Sequence, residues 1–133
     1  MWAIAAALPS LRFEIAHANW IAGGCAVFGV LIAGAGILAF RRAGTTANPM
    51  TPDASTALVT TGVYGWTRNP MYLGWLPISL GWAAYLDHPL SLLVVPLFVL
   101  YMTRLQIIPE ERALRTKFGS QFDAYCQRVR RWL

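Results

Sequence analysis

The chain is short of charge. Only 13% of its 133 residues are Asp, Glu, Lys or Arg, 56% are hydrophobic, and the mean hydropathy is +0.46. Soluble domains carry about a quarter charged residues, so the deficit points to a membrane protein. Acidic groups are the scarcest: six Asp/Glu face eleven Lys/Arg, a formal net charge of +5. Nucleic-acid binding would need a basic face on a soluble body. Here the basic residues fall between and after apolar runs, as membrane topology would place them, and no nucleic-acid partner is expected. Cysteine is almost missing. Cys25 lies in an apolar run and Cys126 in a charged tail, which argues against a disulfide framework. His17 and His88 are isolated, no Cys/His cluster has metal-ligand spacing, and no metal site is expected. Neither G-x-G-x-x-G, nor a Walker sequence, nor a Ser-His-Asp set occurs. A nucleotide-type cofactor would have to bind without a Rossmann sheet.

What the chain does have is apolar length. Met1 to Leu11 is apolar but too short for the ~20 helical residues a bilayer demands. It has no basic n-region, and Pro9, Arg12 and Glu14 follow quickly, so a cleavable signal fits poorly. An interfacial helix and the remnant of a membrane helix both remain open there. Trp20 to Phe40 is about 21 residues without a charge, long enough to span. Within it Ala22, Ala26, Gly29, Ala33 and Gly36 make one stripe of small residues, a seam for close helix approach within one chain or between two. Ala43 to Thr61 reads as a loop, with turn signals at Gly44, Asn48-Pro49 and Thr51-Pro52-Asp53. It serves as either a functional lid or a solvated linker. Met71 to Leu86 is a second apolar run, and Asp87-His88-Pro89 breaks it. Leu90 to Thr103 is a third, with Pro96 expected to kink it. The last two runs predict a helical hairpin.

The expected fold is a single all-α integral-membrane domain over residues 1–133. It has about three transmembrane helices, a short N-terminal apolar helix and an amphipathic helical tail. Every Lys and Arg except Arg12 then falls on one side of the membrane, the cytoplasmic side by the positive-inside rule. In the tail, Pro109-Glu110-Glu111 is expected to start a helix with negative charge at its positive end. Gly119 stops that helix, and Ser120-Gln121-Phe122-Asp123 reads as a capping box for a second. Arg128, Arg130 and Arg131 suit anionic lipid headgroups.

Two places carry polar chemistry. Gly62 to Gly74 holds Tyr64, Arg68, Asn69 and Tyr72 where a polar loop meets an apolar helix, with Asn69-Pro70 as the expected capped start. Glu110 and Glu111, about 100° apart on a helix, put one carboxylate toward the protein and its neighbour toward water or Arg. The predicted topology brings both places to one face.

At these residues the sequence resembles isoprenylcysteine carboxyl methyltransferases and the related phospholipid methyltransferases. Leu58-Val59-Thr60-Thr61-Gly62-Val63-Tyr64 and Thr67-Arg68-Asn69-Pro70-Met71-Tyr72-Leu73-Gly74 are similar to their first signature. Pro109-Glu110-Glu111, Leu114, Phe118-Gly119, Tyr125 and Val129-Arg130 are similar to their second. The resemblance implies an integral-membrane methyltransferase using S-adenosylmethionine. Carried over by position, Leu58, Val59, Tyr64, Asn69, Pro70, Met71, Tyr72 and Glu110 would hold the cofactor. Asn69 stands where eukaryotic isoprenylcysteine enzymes usually carry His, so it hydrogen-bonds without titrating. Their further basic residue before the glutamates aligns with Gln106, which leaves Arg104 as the nearest substitute. Arg104 and Glu111 are the candidate catalytic residues, and the acceptor is a prenylcysteine-like carboxylate, a lipid amine or a small thiol. Membrane sterol reductases, which share an Arg-x-Pro-x-Tyr element and use NADPH, are the alternative reading. A non-enzymatic membrane scaffold is the third.

Overall fold

The computed structural model describes residues 1–11, 14–45 and 56–133, and among them every regular element is helical. Arg12 and the turn signals at Asn48-Pro49 and Thr51-Pro52-Asp53 lie outside the described residues. The helices are α1 (Trp2–Ala7), α2 (Ala18–Arg42), α3 (Pro70–Tyr85), α4 (Val94–Tyr101), α5 (Ile108–Phe118) and α6 (Ser120–Arg128). Short 3-10 turns lie at Pro9–Leu11, Gly62–Gly65 and Pro89–Leu93. Among the described residues two helices are long and apolar enough to cross a membrane: Ala18–Arg42, with hydropathy 2.2, and Pro89–Phe118, with hydropathy 1.8.

The second of these corrects the expected tail. Pro109 does lie in the first turn of α5 with Glu110 and Glu111, as expected, but α5 is not a separate tail helix, because Pro89–Phe118 runs 30 residues without a break. A π-helical segment, Met102–Ile107, joins α4 to α5 just before Pro109. Proline lacks the N–H for an i→i−4 bond and its ring collides with that carbonyl. The wider π turn lets the axis continue past that conflict. The carboxylates are therefore carried on the same continuous helix as the third apolar run. Pro96 lies in the first turn of α4, where 3-10 geometry gives way to α.

The small-residue stripe of α2 packs against α3 of the same chain. A methyl group added at Gly29 would strike the Gly74 carbonyl oxygen, and one at Gly74 would sit 2.9 Å from Ala33 Cβ. At Gly81 it would come within 2.7 Å of Cys25 Cβ and 3.1 Å of Ala22. Gly36 is covered by Pro70 and Met71. Backbones this close gain dispersion contacts along the whole seam, the main attraction left to helices in an apolar solvent. Gly74→Val should accordingly cost about 1–3 kcal/mol of stability through overpacking. Gly34 has nothing within 4 Å of an added methyl, so Gly34→Ala should leave the melting temperature unchanged or slightly raised. Thermal unfolding of both variants in one detergent checks the contrast.

Two further expectations fail for local reasons. Asn69 occupies the N-cap position of α3 but makes no side-chain capping bond; its amide is used elsewhere. Ser120 does not cap α6, whose flanking residue is Gly119 at φ 50°, ψ −125°, a conformation that favours glycine. Asp123 instead accepts from Arg115 at 2.7 Å. At the far end, α1 is six residues long and rests on the Pro89–Leu93 turn. There the buried His88 donates from Nε2 to the Leu8 carbonyl, 3.0 Å away.

Candidate functional site

The site lies where the start of α3 meets α5, beside the end of α2. The 3-10 turn Gly62–Gly65 presents Tyr64, which is 5% exposed. Its ring stands edge-on to Phe40 in the last turns of α2, centroids 5.2 Å apart. Its backbone carbonyl accepts a 2.8 Å hydrogen bond from the Tyr125 hydroxyl. Burial foremost, and then the nearby Glu110 charge, push the Tyr64 phenol above its ordinary range. The shift favours the neutral phenol.

One turn of polar side chains on the long helix faces α3. Tyr72 donates to Glu110 Oε2 at 3.2 Å, and the Gln106 side chain also hydrogen-bonds Tyr72. Residues four apart share a helix face, so Gln106 and Glu110 hold one phenol between them. Among the described residues Glu110 forms no ion pair. The reason is its neighbour. Glu111 takes both nearby guanidinium groups: Arg68 Nη2 at 2.9 Å on Oε1, and Arg131 from Nε at 3.0 Å and Nη2 at 2.6 Å on both oxygens. The Arg68 and Glu111 side chains are only 12% and 13% exposed. One carboxylate is neutralised and the next is left as a partly buried anion with a phenol donor.

Arg68 does more than pair. Its Nη1 donates to the carbonyls of Cys126 and Val129, at 3.1 and 3.0 Å, satisfying acceptors at the end of α6. Orphan carbonyls there need such donors. The segment after α6 returns along the α3 start: Arg68 N donates to Arg130 O, and Thr67 Oγ1 and Asn69 Nδ2 both donate to Arg131 O. That bond is where the Asn69 amide goes. Trp132 Nε1 donates to Thr103 Oγ1 in the π segment at 3.1 Å. Beneath these bonds Phe122, Tyr125 and Val129 form a buried cluster, with Leu58, Leu114, Phe118 and Cys126 packed on it.

The residues singled out from the sequence thus separate. Tyr64, Tyr72 and Glu110 come together. Pro70 and Met71 lie against Gly36 of α2, Leu58 joins the Phe122 cluster, and Val59 is buried. Asn69 is committed to Arg131 O, and Glu111 to its two arginines. Arg131 is an internal partner and not the headgroup ligand expected of it; Arg128 and Arg130 form no ion pair among the described residues. Arg104 is exposed and forms no ion pair there either. It sits two positions before Gln106, roughly the opposite side of a helix turning ~100° per residue. Gln106 and Tyr125 also join the site, through Tyr72 and the Tyr64 carbonyl. The spacing of Gln106 to Glu110 was the one available signal for the first. A cavity of about 580 Å³ lies at the other end of α2, lined by Glu14, His17, Trp20, Tyr85 and Asp87 among others, remote from these residues.

Comparison with known proteins gives the arrangement a family. A protein of Haemophilus influenzae described only as uncharacterized is 44% identical over 63 residues, covering 47% of this chain and 100% of that one. The protein-S-isoprenylcysteine O-methyltransferases of Tribolium castaneum and Mus musculus are each 39% identical over 72 residues. Those matches cover 54% of this chain but only 26% and 25% of theirs, so the chain spans about a quarter of the length of these two relatives. The family profile described as phospholipid methyltransferase matches residues 18–121, which takes in the α2–α3 seam, the Tyr64–Tyr72 stretch and both glutamates. The chain therefore belongs to the phospholipid methyltransferase family.

Proposed function

We propose that the protein is a membrane-embedded methyltransferase that moves a methyl group from S-adenosylmethionine to a lipophilic or small acceptor. The observation that carries this reading is the Glu110 carboxylate: partly buried, held by Tyr72, and without a cation because Arg68 and Arg131 are spent on Glu111. The donor set fits S-adenosylmethionine, a cationic ligand with a ribose diol and an adenine ring. A lone carboxylate attracts the cation or accepts from the diol, and Tyr64 and Tyr72 offer aromatic surface. S-adenosylmethionine supplies the activated methyl group when bound. The chain's own task is placement and the exclusion of water, since an in-line displacement draws most of its help from positioning. Of the residues carried over from the family, Tyr64, Tyr72 and Glu110 are proposed as direct contacts. Leu58, Val59, Pro70, Met71 and Asn69 support them from behind.

In this reading the chain crosses the bilayer three times, through α2, α3 and Pro89–Phe118, and the site opens to the cytoplasm. Arg41, Arg42, Arg68, Arg112 and Arg128 all belong to that side, as the positive-inside rule requires. The 16-residue α3 is short for a span but begins at the interface. The acceptor reaches the site from the bilayer or the cytosol. Incubating membranes of expressing cells with methyl-labelled S-adenosylmethionine tests the reaction. Label in lipid, protein or a small thioether, strongly reduced at subsaturating donor in membranes carrying Glu110→Gln, is the expected result. Equal labelling by both would contradict it.

A further inference from the structure

The two halves of the site belong to elements with little direct packing between them. α2 and α3 are sealed by glycine seams, whereas α3 meets the segments that carry Gln106 and Glu110, Met102–Ile107 and α5, only sparsely. Tyr72 rides on α3; Gln106 and Glu110 ride on the long helix. Something other than helix packing has to set their separation.

Residues 129–133 supply that link. Val129 leaves α6 in an extended conformation, and the next residues are tied on both sides. Toward α3, Arg130 O and Arg131 O accept from Arg68 N, Thr67 Oγ1 and Asn69 Nδ2 at 3.0, 3.3 and 2.9 Å. All three donors precede Pro70, the first residue of α3. Toward the long helix, the Arg131 guanidinium grips Glu111 through two bonds and Trp132 reaches Thr103. Thr103 and Glu111 flank Gln106 and Glu110 in sequence. A paired guanidinium–carboxylate contact fixes orientation as well as distance.

We propose that residues 129–133 are a strap that positions Tyr72 against Glu110, with Arg131 and Trp132 as its positioning residues and the Arg68–Glu111 pair as its anchor. The proposal rests on the methyltransferase reading. Neither positioning residue touches the cofactor. Each acts by holding α3 and the long helix at the spacing at which Tyr72 donates to Glu110.

Isothermal titration of the protein in detergent with S-adenosylhomocysteine tests it, well below the melting temperature of each variant. Losing a hydrogen-bonded charge contact should raise the Kd of Arg131→Ala by about tenfold or more. Trp132→Phe keeps an aromatic ring, though a smaller one, and loses the bond to Thr103, and should raise Kd by about two- to tenfold. Arg131→Lys keeps the charge and should recover part of the Arg131→Ala loss, which general loosening would not predict. Arg115→Ala, which breaks an exposed pair with Asp123, should match wild type. If wild type binds while Arg131→Ala and Trp132→Phe bind within twofold of it, the strap proposal is wrong and the methyltransferase reading stands. Should Arg131→Ala fail to fold, Trp132→Phe decides alone. Absence of binding by wild type contradicts the methyltransferase reading and the strap with it.

Discussion

Glu110→Gln is expected to weaken S-adenosylmethionine binding by about ten- to hundredfold, the value of one hydrogen bond to a charged group in a partly dry site. Glutamine keeps the shape and the acceptor oxygen for Tyr72, so little stability should be lost. The comparison ligand matters. S-adenosylhomocysteine has the same ribose and adenine without the sulfonium charge. If Glu110 meets the ribose diol, both ligands should weaken equally. If it lies near the sulfonium, S-adenosylmethionine should weaken more. Titrating both ligands into both proteins reads the contact directly, and an unchanged Kd for each would remove Glu110 from the site.

Glu111→Ala should behave in the opposite manner. It deletes the partner of Arg68, whose side chain is 12% exposed, and frees Arg131. Breaking a buried ion pair from one side typically costs about 3–5 kcal/mol, because the surviving charge stays out of water. The loss should appear first as lowered stability, and through the strap as weaker cofactor binding. Glu111→Gln should fall between, since an amide oxygen still accepts from one guanidinium. Chemical denaturation in a fixed detergent measures the order wild type, Gln, Ala. A Glu111→Ala protein as stable as wild type would mean that the Arg68 pair contributes nothing to the fold. The neighbouring carboxylates would thus serve separate ends, one for the ligand and one for the fold, although the sequence shows only Glu-Glu.

That pair shows what local pattern can and cannot reveal. A helix turns about 100° per residue, so it was legible that the two carboxylates face different surroundings. Which of them met arginine was not, because Arg68 is 43 positions away and Arg131 is 20. Asn69 shows the same limit. Asn-Pro is a sound local signal for a helix start, and α3 does begin at Pro70. The side chain, however, donates from Nδ2 to a carbonyl 62 residues on and makes no capping bond. Pro109 marks a different limit: it lies in the first turn of α5, as its local signal says, but the π turn ahead of it joins α5 to the preceding helix, which no local pattern shows. The apolar runs and the glycine stripe were fully legible, being periodic and local. The strap was not, since its sequence reads only as two arginines before a tryptophan.

The account rests on one claim, that the Tyr64–Tyr72–Glu110 cluster binds the methyl donor. Isothermal titration of S-adenosylmethionine into detergent-purified, monodisperse wild-type protein tests it most directly. Saturable binding of one ligand per chain, weakened by Glu110→Gln and spared by Arg115→Ala, is the predicted result. No saturable heat from helical, monodisperse wild-type protein would contradict it.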